Sequence, residues 1–477
     1  MAVEEGPEMR GVADPLRRRS HDLWRRFVNP DYVRVLETLG FGRAFVRSSG
    51  TKLHGEDGRE YTDFLAGFGV HNIGHNHPRL IARLREVLES GEPSMLNVDA
   101  PLAAGLLAER LSGMTRPELC RAAFTSGGAE AVEVAIKAAR AATGRSGLIS
   151  CHGAYHGLTA GALSLMGGEG PGRRFGTLLG GVVQVPFGDV AALEEACARR
   201  RPAAFFVEPI QAEGGVRVPP EEYLREAGRA CRKAGTLLVV DEIQTGLGRT
   251  GKAFATDFTE VLTDILLVGK ALSGGVVPVA AAVMTAAVWS RAFSGMEKFN
   301  SCMSTFSGGR LAMAAGLAVL EILQDEKLAE RADRLGAELL DGLRQLAAGH
   351  GATLEVRGKG LLAGVEFQKG SAWLRWAVPR CARDQLFAQI LSAMLLEKHG
   401  FLTQPCGLAP RVLRIEPPLT ITSGEIQGFL RALDDVLTIC PSMGSAVLSA
   451  LRKVALGRDL VSSGSPAAPE RREEAAP

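Results

Sequence analysis

The chain has 477 residues, and its 55 lysines and arginines against 53 acids leave a formal charge of only +2, which points to no polyanionic partner. With 46% hydrophobic and 23% charged residues it falls outside the disordered, collagen-like and disulfide-stapled classes. Eight cysteines lie scattered with no CxxC pair, as expected of reduced thiols in a cytoplasmic protein, and no apolar run approaches the ~20 residues of a membrane span. No basic patch interleaves with aromatics, so nucleic-acid binding is not expected either.

In chain order, the first residues carry Glu4, Glu5 and Glu8 and no apolar stretch, so no secretory leader is expected. Arg17, Arg18, Arg19, Arg25 and Arg26 surround Leu23 and Trp24 and read as a solvated amphipathic helix rather than an anchor for an anionic surface. Strand signals at Lys52–Leu53 and Tyr61–Phe64 flank the turn Glu56-Asp57-Gly58-Arg59. Between about residues 120 and 285, short apolar runs alternate with helical stretches, the pattern of an α/β fold with a parallel sheet covered on both faces. The runs are GLIS (147–150), AAFFV (203–207), TLLVV (236–240), ILLV (265–268) and VAAAVM (279–284). Residues 129–142 place Val132, Ala135, Ile136 and Ala139 on one helical face, and residues 309–324 and 330–348 repeat that period. Beyond residue 352, strands near 361–367 and 412–415 and helices near 383–398 and 423–437 indicate a smaller α+β domain. The expected organisation is an N-terminal part of the small domain (1–75), a large domain (76–325), the rest of the small domain (326–440) and a tail (441–477) whose end is disordered.

Four segments just past strands carry unusual polar residues. FTSGGAE (124–130) puts two glycines before a helix, so the N–H groups of Gly127, Gly128 and Ala129 sit at its positive end, where a phosphate fits. Alone, such glycines are as often only a turn. VVDEIQTGLGRTG (239–251) ends a buried strand in Asp241 and Glu242, and a carboxylate left there is costly without a partner, unless it simply leaves for solvent or caps a helix. LLVGKALSGG (266–275) encloses Lys270, which disfavours its charged form and suits a nucleophile, although a lysine can also reach water from a buried stem. YHG (155–157) and STFSGG (304–309) add the flat ring of Tyr155 and the hydroxyl of Thr305. A phosphate cradle, a buried acid, an enclosed lysine and an aromatic plate together are what pyridoxal 5'-phosphate requires. His71, His75 and His77 have no cysteine or carboxylate close in sequence and read as loop packing, so no metal is expected; His156 and Cys151 read as walls of the ring pocket.

These residues lie in ordered motifs: DFLAGFGVHNIGHNHP (63–78), FTSGGAEAVEVAIKAAR (124–140), VEPIQAEGGV (207–216), DEIQTGLGRTGK (241–252), DILLVGKALSGGVVPV (264–279), TFSGGRLAMAAGLAVLE (305–321) and VLRIEPPLT (412–420). Through them the chain resembles, over residues 34–436, the class III, fold type I pyridoxal-phosphate aminotransferases, most closely the putrescine and ornithine or acetylornithine groups. The resemblance implies Lys270 as the Schiff-base lysine and proton carrier, and Asp241 as the partner of the pyridine nitrogen. It further implies Gln244 on the ring's 3-oxygen, Ile243 and Tyr155 on its two faces, and the backbone of Gly127, Gly128 and Ala129 on the phosphate. Thr305 would reach the phosphate of the neighbouring subunit's cofactor, implying a homodimer with shared active sites. Many relatives carry serine where this chain has Gly127, which removes one side-chain contact and leaves the backbone cradle.

For substrates, the resemblance implies that Arg414 grips the carboxylate of a 2-oxoglutarate-like keto-acid acceptor and that Glu213 covers it when an amine donor enters. Leu158 stands where ornithine-type relatives often place an arginine, so the donor's far end is expected to be neutral or apolar. The expected reaction moves an amino group from a terminal, diamine-like or ω-amino donor to the keto acid. An aminomutase of the glutamate-semialdehyde type shares the YHG segment but fits Gln244 and the GLGRTG segment less well, and a catalytically silent scaffold is disfavoured by Lys270 and Asp241.

Overall fold

The computed structural model describes residues 19–38, 41–95, 98–166, 175–350, 354–367 and 380–439. The expectations for Met1–Arg10, Arg17, Arg18 and the tail lie outside them. Three strands come first: β1 (Phe45–Ser49), β2 (Lys52–Gly55) and β3 (Glu60–Asp63), antiparallel as the turn between them suggested. Seven more, β4 (Leu119–Thr125), β5 (Leu148–Cys151), β6 (Val182–Val185), β7 (Ala204–Val207), β8 (Leu237–Asp241), β9 (Ile265–Val268) and β10 (Ala280–Thr285), form one sheet in the order β4-β10-β9-β8-β7-β5-β6. β5, β7 and β9 are buried along their whole length, which is why their sequences read as apolar runs and not as alternating ones.

Two departures from the expected parallel sheet have physical causes. β10 is antiparallel to both β9 and β4. The link between β9 and β10, residues 269–279, holds one 3-10 turn and no crossover helix, too little chain to return a parallel strand. β4 and β6 were not foreseen because both are edge strands whose residues alternate or are half-buried, so neither shows a continuous apolar run. Because β10 runs against both its neighbours, β4 points the same way as β9, and its carboxyl end opens on the same edge as theirs.

The remaining strands, β11 (Leu354–Lys359), β12 (Leu362–Phe367), β13 (Phe401–Leu402), β14 (Gln404–Pro405) and β15 (Val412–Ile415), build two smaller sheets. β11-β12-β15-β14 is antiparallel, while β13 pairs in parallel with β3, Phe401 against Thr62, so the two ends of the chain share a sheet. We propose from this shared sheet that the residues before about 75 and after about 325 form one small domain. The helices Gly128–Thr143 and Leu328–Gly349 bury one face each, with Val132, Ala135, Ile136 and Ala139 among the buried residues as expected, while Arg310–Asp325 is buried on almost every side. Helix Ser20–Phe27 buries no residue, and its Arg25 pairs with Asp22 at 2.8 Å and with Glu37, as a solvated helix should. No helix among the described residues is long and apolar enough to cross a membrane.

Candidate active site

The carboxyl ends of β4, β5, β7, β8 and β9 meet at one edge of the large sheet, over a cavity of about 280 Å3. Gly128, Ala129, Tyr155, Asp241, Ile243, Gln244 and Lys270 all line it, joined by His156, Glu208 and Leu158. Gly127 is the N-cap of helix Gly128–Thr143, in extended backbone, and the N–H groups of Gly127, Gly128 and Ala129 have no acceptor among the described residues. A β-carbon on Gly128 would come within 2.9 Å of the Ile243 side chain, so glycine lets the helix start this close to it without that side chain shifting. Ser126 is already committed, its N–H donating to Glu130 at 2.8 Å.

Asp241 ends β8 and is buried; its Oδ2 lies 2.8 Å from His156 Nδ1. The sequence assigned His156 only a packing role, whereas the structure makes it the hydrogen-bonded neighbour of this carboxylate. Burial works against a charged imidazole, but the bond to Asp241 and the two carboxylates nearby outweigh it and raise the histidine above its ordinary value. Lys270 follows β9 with φ of +42°, a left-handed conformation that side-chain-bearing residues adopt at a cost and that collects at functional sites. Its Nζ donates to Gln244 Oε1, and burial holds its amine below the ordinary lysine value against the pull of Glu416, Glu213 and Asp241. A depressed lysine is a stronger nucleophile at neutral pH.

Arg414, on β15, is fully buried and donates to Glu213 Oε1, while Glu213 Oε2 also accepts from Gly407 N at 2.8 Å. Neither forms the wall of the cavity; they connect to it through Glu416, whose Oε2 accepts from Gln244 Nε2 at 2.9 Å and lies 3.6 Å from Arg414 Nε. Ala66, Gly67, Phe68 and Gly69 form a left-handed turn that lifts the Phe68 ring to 4.8 Å from the Arg414 guanidinium. Thr305 is exposed in a turn and does not approach this chain's cavity. His71 stacks on His75 at 3.8 Å, and Asp63 and Glu326, distant in sequence or on another element, bond His75 at 2.7 Å and His77 at 3.0 Å. The fold thus supplies a carboxylate to His75 and to His77, while His71 is held against the His75 ring.

An anion cradle at one end, a carboxylate–histidine pair at depth and an enclosed amine suit a ligand with a phosphate, a basic ring nitrogen and a carbonyl. The sequence profile described as aminotransferase class-III matches residues 38–437. The chain belongs to the class III aminotransferases. It is an enzyme, and its cofactor is pyridoxal 5'-phosphate, for which this cavity has the complementary groups. It is similar to putrescine aminotransferase of Pectobacterium atrosepticum, 39% identical over 87% of each chain. It is also 35% identical, over 91% of its own length, to the aminotransferase PigE of a Serratia species, of whose length it spans 54%. Ornithine aminotransferase of Toxoplasma gondii superposes with a TM-score of 0.77 at 33% identity, over 92% of this chain and 99% of that one, and its crystals hold pyridoxal phosphate at partial occupancy.

Two residues of this aminotransferase's site were not singled out from the sequence. Glu208, after β7, and Glu416, after β15, each precede a proline within motifs already quoted, and a buried acid in that position was the available signal. Glu208 is buried and, among the described residues, accepts a hydrogen bond from Tyr155 N at 3.0 Å alone; burial pushes its carboxyl up from 4.5 to about 8. The folded protein therefore binds this proton where the unfolded chain has released it, so the stability it contributes is present below pH 4.5 and lost as pH rises to about 8. In cofactor-free protein, Glu208→Gln, which mimics the protonated acid, should match wild type near pH 4.5 and exceed it at pH 8 by about 4 kcal/mol. Denaturant unfolding of both proteins across this range checks it; parallel curves would mean that Glu208 is ionised in the fold.

Proposed function

We propose that this aminotransferase transfers an amino group from a terminal amine, diamine-like or ω-amino donor to 2-oxoglutarate or a related keto acid. The observation that carries the reading is the buried Arg414 covered by Glu213. Burial alone would raise Glu213 and lower Arg414, but each outweighs it for the other, so Glu213 sits below and Arg414 above its ordinary value. Covered in this way, the arginine presents no free positive charge to a donor that lacks an α-carboxylate. Glu213 meets Arg414 through one oxygen only and leaves Nη2 without a hydrogen-bond partner, so a dicarboxylate acceptor that displaces Glu213 can engage the guanidinium more fully, as a bidentate pair. Leu158, 61% exposed at the cavity mouth, offers the donor's far end an apolar surface and no charge.

Bound pyridoxal phosphate supplies the electron sink that lets the donor's carbon lose a proton. In our reading Lys270 is the amine that holds the cofactor covalently and the base that moves that proton. With the cofactor bound, Asp241, backed by His156, would keep its ring nitrogen protonated, Ile243 and Tyr155 would flank the ring, Gln244 would meet its 3-oxygen, and the N–H groups of Gly127, Gly128 and Ala129 would hold the phosphate. Thr305 serves the neighbouring subunit's phosphate in a homodimer, a role its exposure away from this chain's own cavity supports.

A panel of diamines, ω-amino acids and uncharged alkylamines, each offered with 2-oxoglutarate to the purified protein, tests the assignment by the glutamate formed. Terminal amines should be consumed and α-amino acids without a second amine should lag. Glutamate formation from ordinary α-amino acids alone would overturn the donor class.

A further inference from the structure

Glu416 is fully buried among three cations, yet only one of its oxygens is hydrogen-bonded. Its Oε2 accepts from Gln244, whose own carbonyl receives the Lys270 amine, and lies 3.6 Å from Arg414 Nε. Its Oε1 has no hydrogen-bond partner, lies 3.7 Å from Arg249 Nε and faces Gly69, where a β-carbon would come within 2.5 Å. Unlike Glu213, it has no route to swing away: the Gly69 backbone, Arg249 and β15 enclose it, and Arg249 is itself held by Leu361 O, Pro417 O and Asn72 Oδ1. Arg414 therefore has two carboxylates of different kinds, one 12% exposed and able to leave, the other fully buried and fixed.

We propose that Glu416 is a specificity-determining positioning residue: a permanent counter-charge to Arg414 that sets the balance between cationic amine donors and anionic acceptors. This rests on the donor and acceptor assignment above. When a dicarboxylate replaces Glu213, one negative charge leaves and two arrive, so the site gains one. When an ammonium donor enters, the site gains one positive charge and Glu213 stays. A fixed negative charge beside Arg414 opposes the first change and favours the second, and at an effective dielectric near 20 an uncompensated charge within about 8 Å matters by an order of magnitude in binding. Because Glu416 also orients the Gln244 amide, leaving its carbonyl for Lys270, the charge is held at a fixed place relative to the reacting amine.

The test uses the holoenzyme with two probes, glutarate as an unreactive dicarboxylate and 1,4-diaminobutane as a donor, each followed through the cofactor's visible absorption. Glu416→Gln should bind glutarate roughly tenfold more tightly and lose several-fold in apparent affinity for the diamine. Opposite shifts of this kind are not produced by a damaged fold, which weakens both. Glu416→Asp keeps the charge while withdrawing it from Gln244, and should stay within about threefold of wild type for both probes. Unchanged glutarate binding in Glu416→Gln, parallel losses for both probes, or an aspartate variant that loses the wild-type balance would each overturn the role. If wild type neither binds glutarate nor consumes the diamine, the donor and acceptor assignment has failed and this inference falls with it.

Discussion

Replacing Lys270 with alanine should abolish transamination while the protein still binds pyridoxal phosphate without a covalent bond. The backbone of Gly127, Gly128 and Ala129, proposed to hold the phosphate, and the Asp241–His156 pair come from β4, β5 and β8 and do not depend on the lysine side chain. Loss of the proton carrier alone removes ~10^2 to 10^4-fold in rate, and loss of the covalent attachment adds to it. The fold should tolerate the change, because a buried amine is removed and Gln244 remains anchored to Glu416. Borohydride reduction followed by mass spectrometry should attach the cofactor to wild type and leave the variant unlabelled. Substantial multiple turnover by Lys270→Ala would move the catalytic amine elsewhere.

The second large effect is expected at Arg414. Arg414→Ala should lower kcat/KM for the acceptor half-reaction by roughly 30-fold or more beyond any change in the amine half-reaction, since a lost charge-assisted pair of this kind costs ~2 to 5 kcal/mol. The structure adds a consequence that sequence motifs do not reveal. Removing the guanidinium leaves Glu213 and Glu416 without their shared cation, one of them fully buried, so the variant should also be less stable by about 3 kcal/mol. Rates must therefore be compared per folded, cofactor-loaded site. Arg414→Lys keeps one charge without the bidentate fork and should fall between the two. Half-reactions followed separately by the cofactor's absorption decide the matter. Equal losses in both would show that Arg414 holds the site together and does not select the acceptor.

The α/β class and the sites on β8 and β9 were legible because strands buried on both faces must be apolar throughout, and an acid or a lysine at their ends stands out against that background. Gly127 and Gly128 stood out only beside Asp241, Lys270 and Tyr155, because a glycine pair before a helix is by itself often only a turn. The antiparallel turn of β10 was not read, since its sequence is as apolar as a parallel strand's, although the short link after residue 268 carried the cue. The partner of Asp241 was hidden for a different reason: His156 is 85 positions away, and no local pattern marks a histidine that meets a carboxylate across a sheet.

The same holds for the charge network. Local sequence determines which residue types are available at each strand end, because backbone period and burial act over a few residues. It does not determine that Glu213, Arg249, Gln244, Arg414 and Glu416 neutralise one another, because those pairings join segments up to 201 positions apart. Electrostatic energy depends on distance and desolvation, and both are set only when β15 packs its Arg414 and the adjoining Glu416 against the loop after β8.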